Sequence, residues 1–280
     1  GGITSIRITD DGCGIAREDA RTAFLRHATS KLHSEEDLLS GILTYGFRGE
    51  ALAAIAAVSR IDLFTKERGV VLGTHLMLEA GEIRAEEDAG CPEGTTILVR
   101  DLFFNTPARM KFLKRDATEA GYIASAVSHA ALSRPDVSFR LIRDGKEQLH
   151  TAGDGSLKNA VYAVYGREFL HTLIPVSASC SGIEVSGFIS KPELSRANRT
   201  MQNFFVNGRP IRSPLMQAAL EQAYRNRIMT GRFPACVLRL TLSAQNVDVN
   251  VHPAKTEVKF SLEKGIFDAV YMAVKSALDH

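Results

Sequence analysis

The run Asp10-Asp11-Gly12-Cys13-Gly14 lies between an alternating apolar segment and a helix-patterned one. A carboxylate at the end of a strand can accept a hydrogen bond from an exocyclic amine such as adenine offers. Glycines at Gly12 and Gly14 let the backbone approach a flat ligand, because no Cβ stands in the way. Taken alone, D-x-G-x-G equally suits a tight turn with a helix-capping Asp. Gly46-Phe47-Arg48-Gly49 opens an Ala-rich helix, and the backbone N–H groups of a Gly-flanked helix start suit an anion, phosphate among them. Upstream, Arg26-His27-Ala28-Thr29-Ser30-Lys31 is polar and long enough to fold over a bound molecule, or to remain a solvated loop. Gly94-Thr95-Thr96 sets hydroxyls at the start of an apolar strand, where they suit a ligand contact or a purely structural one. Late in the chain, Asn250-Val251-His252-Pro253-Ala254-Lys255 follows a strand. Pro253 stiffens that turn, and Lys255 supplies a point charge fit for a terminal phosphate or for solvent.

These residues need elements to position them. Ile6 and Ile8 alternate with polar residues, as in a half-buried strand, and residues 16–28 carry a helical pattern. Residues 50–58 are Ala-rich and helical, followed by β-like segments at 61–65, 74–78 and 95–99. A helix is predicted over 117–132, then a hairpin of 138–142 and 147–150 across Asp144-Gly145. The glycine-containing stretch 151–156 reads as a linker. Beyond it come a helix at 157–165, strands at 183–189 and 202–206 with a turn at Asn207-Gly208, a helix at 215–225, strands at 236–242 and 247–251, and an amphipathic helix at 266–278. The pattern predicts two α+β domains with mixed sheets, 1–155 and 156–280.

A chain of 280 residues with 45% hydrophobic and 24% charged residues has the make-up of a globular protein with room for two cores. No apolar stretch approaches bilayer thickness, and the expected location is the cytoplasm, with no membrane partner. Cys13, Cys91, Cys180 and Cys236 are too scattered for a zinc site and suggest reduced, buried or half-buried thiols. Net charge is +2, but residues 1–155 carry 19 Lys and Arg against 23 Asp and Glu, and the remainder 15 against 9. The second half therefore has a mild attraction for polyanions. No G-x-x-x-x-G-K-[ST] phosphate loop and no G-x-S-x-G elbow occurs, which excludes the nucleotidases and esterases built on them.

Five segments occur in order: D-G-C-G-I, R-H-A-T-S-K, G-F-R-G-E-A-L, N-T-P-A-R at 105–109, and N-V-H-P-A-K. The series resembles the N-terminal region of the MutL family of DNA mismatch repair proteins. That family belongs to the ATPase superfamily that also holds gyrase B, Hsp90 and the histidine kinases. G-F-R-G-E-A-L and N-V-H-P-A-K separate it from the topoisomerase-like relatives.

The resemblance implies a Bergerat-type α/β sandwich that binds ATP, followed by a ribosomal-protein-S5-like α+β domain. Asp10 would contact the adenine amine, Gly12 and Gly14 would make room for the base, and Thr96 foremost, with Thr95 beside it, would lie at the adenine end. Thr29, Ser30 and Lys31 fall in the family's lid, while Gly46, Phe47, Arg48 and Gly49 would line the triphosphate. Lys255 would reach the γ-phosphate as the one catalytic contact. In the family an upstream E-x-x-x-N helix supplies the general base and the Mg²⁺ ligand. No such segment occurs here, so the resemblance implies ATP and Mg²⁺ as cofactors but a chain deficient in hydrolysis by itself. The implied role is a matchmaker: ATP binding drives homodimerisation and couples a MutS-like mismatch sensor to a downstream nuclease or helicase. DNA would be held non-specifically through phosphates. Candidates are Arg109, Lys111, Lys114 and Arg115, with Arg196, Arg199, Arg209 and Arg212, and a solvated surface is the alternative for each. The other reading of the whole chain is a non-enzymatic DNA-binding or scaffolding fragment with a vestigial nucleotide site.

Overall fold

A computed structural model of the protein describes residues 2–25, 50–248 and 258–279. These fall into two compact units, 2–25 with 50–123 and 124–248 with 258–279.

The first unit is built on β1 (Ser5–Asp10), β2 (Arg60–Lys66), β3 (Gly73–Glu79), β4 (Glu82–Ala89) and β5 (Gly94–Arg100). They form one sheet in the order β1-β5-β2-β3-β4, with every neighbouring pair antiparallel. Side chains alternate across the pleat, so Ile61 and Leu63, Leu76 and Leu78, and Ile97 and Val99 share one face. That face packs against Ala20 and Phe24, on and just after α1 (Arg17–Thr22), and against Leu52 and Ala56 of α2 (Ala51–Ala56). Burying each large side chain contributes roughly 1.5–3 kcal/mol. The opposite face is polar. Asp62 is buried there between His75, whose Nε2 lies 2.8 Å from its Oδ1, and the Arg100 guanidinium. His75 in turn stacks on Phe64 at 4.1 Å.

The sequence reading did not anticipate β4, because Glu82–Ala89 lacks an apolar alternation. It is an edge strand, and its acidic residues bind α1 by charge: Arg17 pairs with Glu86 at 3.2 Å and with Asp88, and Arg21 with Glu86. A short helix α3 (Pro107–Met110) leads to α4 (Asp116–Ser133), and the division between the units falls inside α4.

In the second unit, β6 (Arg140–Arg143) and β7 (Lys146–His150) form the hairpin expected from Asp144-Gly145, both of whose φ angles are positive, at 49° and 75°. The stretch 151–156 is closely tied down. Thr151 is buried, its N–H donates to the Phe139 carbonyl at 2.9 Å, and its hydroxyl accepts the Phe139 N–H at 2.8 Å. Helix α5 (Leu157–His171) breaks at Gly166, where φ is 84°.

The main sheet then uses β8 (Leu173–Cys180), β9 (Ile183–Ser190), β10 (Gln202–Val206), β11 (Arg209–Ile211) and β12 (Cys236–Thr241), in the order β11-β10-β12-β9-β8. Its β10–β12 pair is parallel and the others antiparallel. This sheet is therefore mixed, as expected, whereas the first unit's is not. Phe204, Leu238 and Leu240 face α6 (Pro214–Ala223) and α7 (Glu263–Asp279), while Phe205 and Val237 face Leu132, Val161 and Phe169. β13 (Val247–Asp248) and β14 (Lys259–Phe260) pair in a small antiparallel ladder. Among the described residues, no helix is long and apolar enough to cross a membrane.

Candidate functional site

Asp10 ends β1 and is the cross-strand partner of Thr95 on β5, which is in turn the partner of Thr65 on β2. Directly opposed residues project to the same side of a sheet. Here that side is the helix-covered one, since the three stand two residues from Ile8, Ile97 and Leu63 respectively. The row forms a polar ledge where the apolar face ends. Asp10 is exposed, Thr95 half-buried and Thr65 only 1% exposed.

The local sequence holds the ledge in place. The Gly12 N–H donates to Asp10 Oδ1 at 2.9 Å, which fixes the carboxylate over its own loop. A Cβ at Gly12 would stand 2.8 Å from that same oxygen and press the carboxylate aside. Gly14 needs its glycine for another reason. Its φ is +76°, and a Cβ there would stand 2.2 Å from the Lys66 carbonyl oxygen. Gly14 thus lets the loop seat against the end of β2.

The Ile15 N–H donates to Thr65 Oγ1 at 2.8 Å, and that hydroxyl lies 3.1 Å from Thr95 Oγ1 and 3.2 Å from the Gly94 carbonyl. Sequence reading missed Thr65, because a threonine in a strand is an ordinary β residue. The available signal was a hydroxyl in phase with Ile61 and Leu63, on the side that must be buried.

The structure brings together Asp10, Gly12, Gly14 and Thr95. Thr96 points to the other face, where its hydroxyl donates to Thr9 Oγ1 at 3.1 Å. Thr29, Ser30, Lys31, Gly46, Phe47, Arg48, Gly49 and Lys255 lie outside the described residues. Among the described residues, no group of three or more His, Cys, Asp or Glu is placed to hold a metal ion.

The basic candidates separate by exposure. Arg109, Lys111, Lys114 and Arg115 are all exposed, beside an 81% exposed Phe112. Arg212 is exposed too, but Arg209 is buried. Arg199 makes two hydrogen bonds to Glu221, at 2.6 and 3.0 Å, and lies over the Phe233 ring. The Arg196 guanidinium lies 5.5 Å from the centre of the Phe169 ring.

All four cysteines are free thiols. Cys91 and Cys236 match the expected half-burial and burial, but Cys13 and Cys180 are exposed. Burial pushes the Cys236 thiol far above its usual range. In the second unit, His129 donates from Nε2 to Asn203 Oδ1 across 3.1 Å, and the Asn203 amide donates to the Tyr165 hydroxyl at 2.9 Å. Burial draws the His129 imidazole below its usual range, partly offset by the Asn203 hydrogen bond, and the nearby Arg212 charge lowers it further.

Comparison with known proteins bears on this geometry. A family model described as the C-terminal domain of DNA mismatch repair proteins matches residues 161–279. The DNA mismatch repair protein MutL of Caldanaerobacter subterraneus is 45% identical over 278 residues, 99% of this chain and 47% of the relative. MutL of Geobacter sulfurreducens is 47% identical over 278 residues, 99% of this chain and 46% of the relative. The chain's homologues along its whole length are MutL proteins. It spans about half the length of the curated relatives it matches.

Among solved structures, an N-terminal domain of a DNA repair protein superposes with a TM-score of 0.80 at 23% identity, covering 99% of this chain and 86% of that one, a likeness of fold alone. A MutL ATPase domain from Aquifex aeolicus, complexed with ADP, gives a TM-score of 0.64 at 29% identity, covering 85% of this chain and 80% of that one. The two α+β units therefore share the fold of MutL ATPase and N-terminal domains, consistent with the expected sandwich followed by an S5-like domain.

Proposed function

We propose that this chain is the ATP-binding switch region of a MutL-type DNA mismatch repair protein. The observation that carries the reading is the Asp10–Thr95 row at the rim of the first unit's sheet, in a chain whose full-length matches are MutL proteins. Adenine carries a donor amine beside an acceptor ring nitrogen. A fixed carboxylate beside a hydroxyl matches that edge, and an ADP complex of a structurally similar MutL ATPase domain supports the same ligand class.

In this reading Asp10 takes the amine, Thr95 rather than Thr96 flanks it, and Gly12 keeps the carboxylate free of steric pressure. Roles for Thr29, Ser30, Lys31, Gly46–Gly49 and Lys255 rest on the motif resemblance, with Mg²⁺ accompanying the triphosphate. Bound ATP supplies a γ-phosphate, around which a lid and an opposing lysine can order, the common logic of nucleotide switches.

The whole protein would then dimerise in its ATP state and connect a mismatch sensor to a downstream nuclease or helicase. DNA contacts in this reading belong to the exposed residues Arg109, Lys111, Lys114, Arg115 and Arg212. Arg209 is too buried to meet a phosphate, and Arg199 is engaged by Glu221.

Sedimentation of the full-length protein with a non-hydrolysable ATP analogue and Mg²⁺ tests the switch. The expected result is a dimer formed by the N-terminal region only when the analogue is present. Sedimentation unchanged by the analogue would contradict it.

A further inference from the structure

Thr65 is almost wholly buried, yet it sits on the row where the apolar face of the sheet gives way to polar residues. Its oxygen accepts the Ile15 N–H at 2.8 Å. Its single proton has two acceptors within reach, the Gly94 carbonyl at 3.2 Å and Thr95 Oγ1 at 3.1 Å. A hydroxyl has one proton to donate, so one of these bonds is favoured at a time.

The two settings change what Thr95 offers to a ligand. If Thr65 donates to Gly94, Thr95 can donate to Thr65 and turn only a lone pair to the ledge. If Thr65 donates to Thr95, the Thr95 proton is directed elsewhere and the ledge gains a donor. Asp10, next along the row, is an acceptor held by Gly12. The second setting thus places a donor hydroxyl beside an acceptor carboxylate. That pair is the complement of adenine, whose amine donates and whose adjacent ring nitrogen accepts. A 6-oxo purine carries the reverse pattern and meets a carboxylate with its carbonyl.

We propose that Thr65 is a positioning residue for base selection: by donating to Thr95 it makes Thr95 the donor that reads the adenine ring nitrogen. Through Ile15 the same hydroxyl pins the glycine loop against β2, so one buried group sets both halves of the reading edge. This inference rests on the nucleotide-binding reading above.

The test compares ADP with 1-deazaadenosine diphosphate, in which a C–H replaces that ring nitrogen, by calorimetric titration of the protein and its Thr65 and Thr95 variants. Thr65→Ser keeps the hydroxyl, and its affinity for each nucleotide should match the wild type. Thr65→Val should weaken ADP by roughly 3- to 10-fold more than it weakens the deaza nucleotide, the scale of one neutral hydrogen bond. In a Thr95→Val background that extra loss should vanish. If Thr65→Val fails to fold, Thr65→Cys fills the space with a weakly bonding thiol and gives the same contrast. Equal losses for both nucleotides, or no loss, would overturn the proposal while leaving the nucleotide site standing. A wild-type protein that binds neither nucleotide would end the nucleotide reading and the proposal together.

Discussion

Gly14 lies so close to Lys66 that a Cβ on it would stand 2.2 Å from the Lys66 carbonyl oxygen. With its φ of +76°, the position excludes side chains on two independent grounds. The loop that carries Gly12, and with it the orientation of Asp10, is thereby locked to the end of β2.

Replacing Gly14 by Ala should accordingly move the loop off β2 and misplace the Asp10 carboxylate. A fall of about 10-fold or more in ADP affinity is expected, since left-handed strain costs roughly 1–2 kcal/mol before the clash is relieved. Calorimetric titration, with circular dichroism to confirm a folded protein, checks this. Unchanged affinity would mean the loop does not bear on the site.

Cys13 stands between the two glycines of that loop and is exposed, as is Cys180 in the other unit. Limited alkylation followed by mass spectrometry should label both, with Cys236 unreacted until the protein unfolds, because its burial disfavours the thiolate. Saturating ADP should slow Cys13 and leave Cys180 alone. Equal rates for Cys13 with and without nucleotide would count against a ligand over the loop.

His129 gives a pH dependence of known sign. Burial lowers its pKa in the folded state, so the unfolded chain binds the proton more readily. Stability should hold above the ordinary imidazole value of about 6.5 and decline as pH falls below it, levelling once the depressed folded value is passed. Urea unfolding at a series of pH values should show a shallower acid decline in His129→Gln. An identical decline in the variant would exclude His129 as its source.

Much of the architecture was legible because burial imposes a period. The strand predicted over 202–206 coincides with Gln202–Val206, since the Asn207-Gly208 turn closes an apolar strand. The helix predicted over 157–165 stops where the structure places its break, at Gly166 with φ of 84°, and the remainder to His171 lies beyond that prediction. The missed strands are edges. Glu82–Ala89 presents charge to α1 instead of an apolar row, and Leu173–Cys180 sets only Ile174, Val176 and Ala178 in alternation with Pro175, Ser177 and Ser179, a weak signal of small residues interrupted by a proline.

At the site, Asp10, Gly12 and Gly14 were legible as a motif. The choice between Thr95 and Thr96 was not, because adjacent residues of a strand face opposite ways and only the register with Asp10 decides between them. Thr65 was invisible for a related reason. Its importance lies in partners at Ile15 and Thr95, distant in sequence and brought together by the sheet.

The most direct measurement is a calorimetric titration of ADP and GDP into the protein and its Asp10→Asn variant. ADP should bind the wild type and GDP should not, and Asp10→Asn should weaken ADP by roughly 10- to 100-fold, the scale of a hydrogen bond to a charged group. A wild type that fails to bind ADP, or a variant that binds it equally well, would contradict the assignment of this ledge as an adenine nucleotide site.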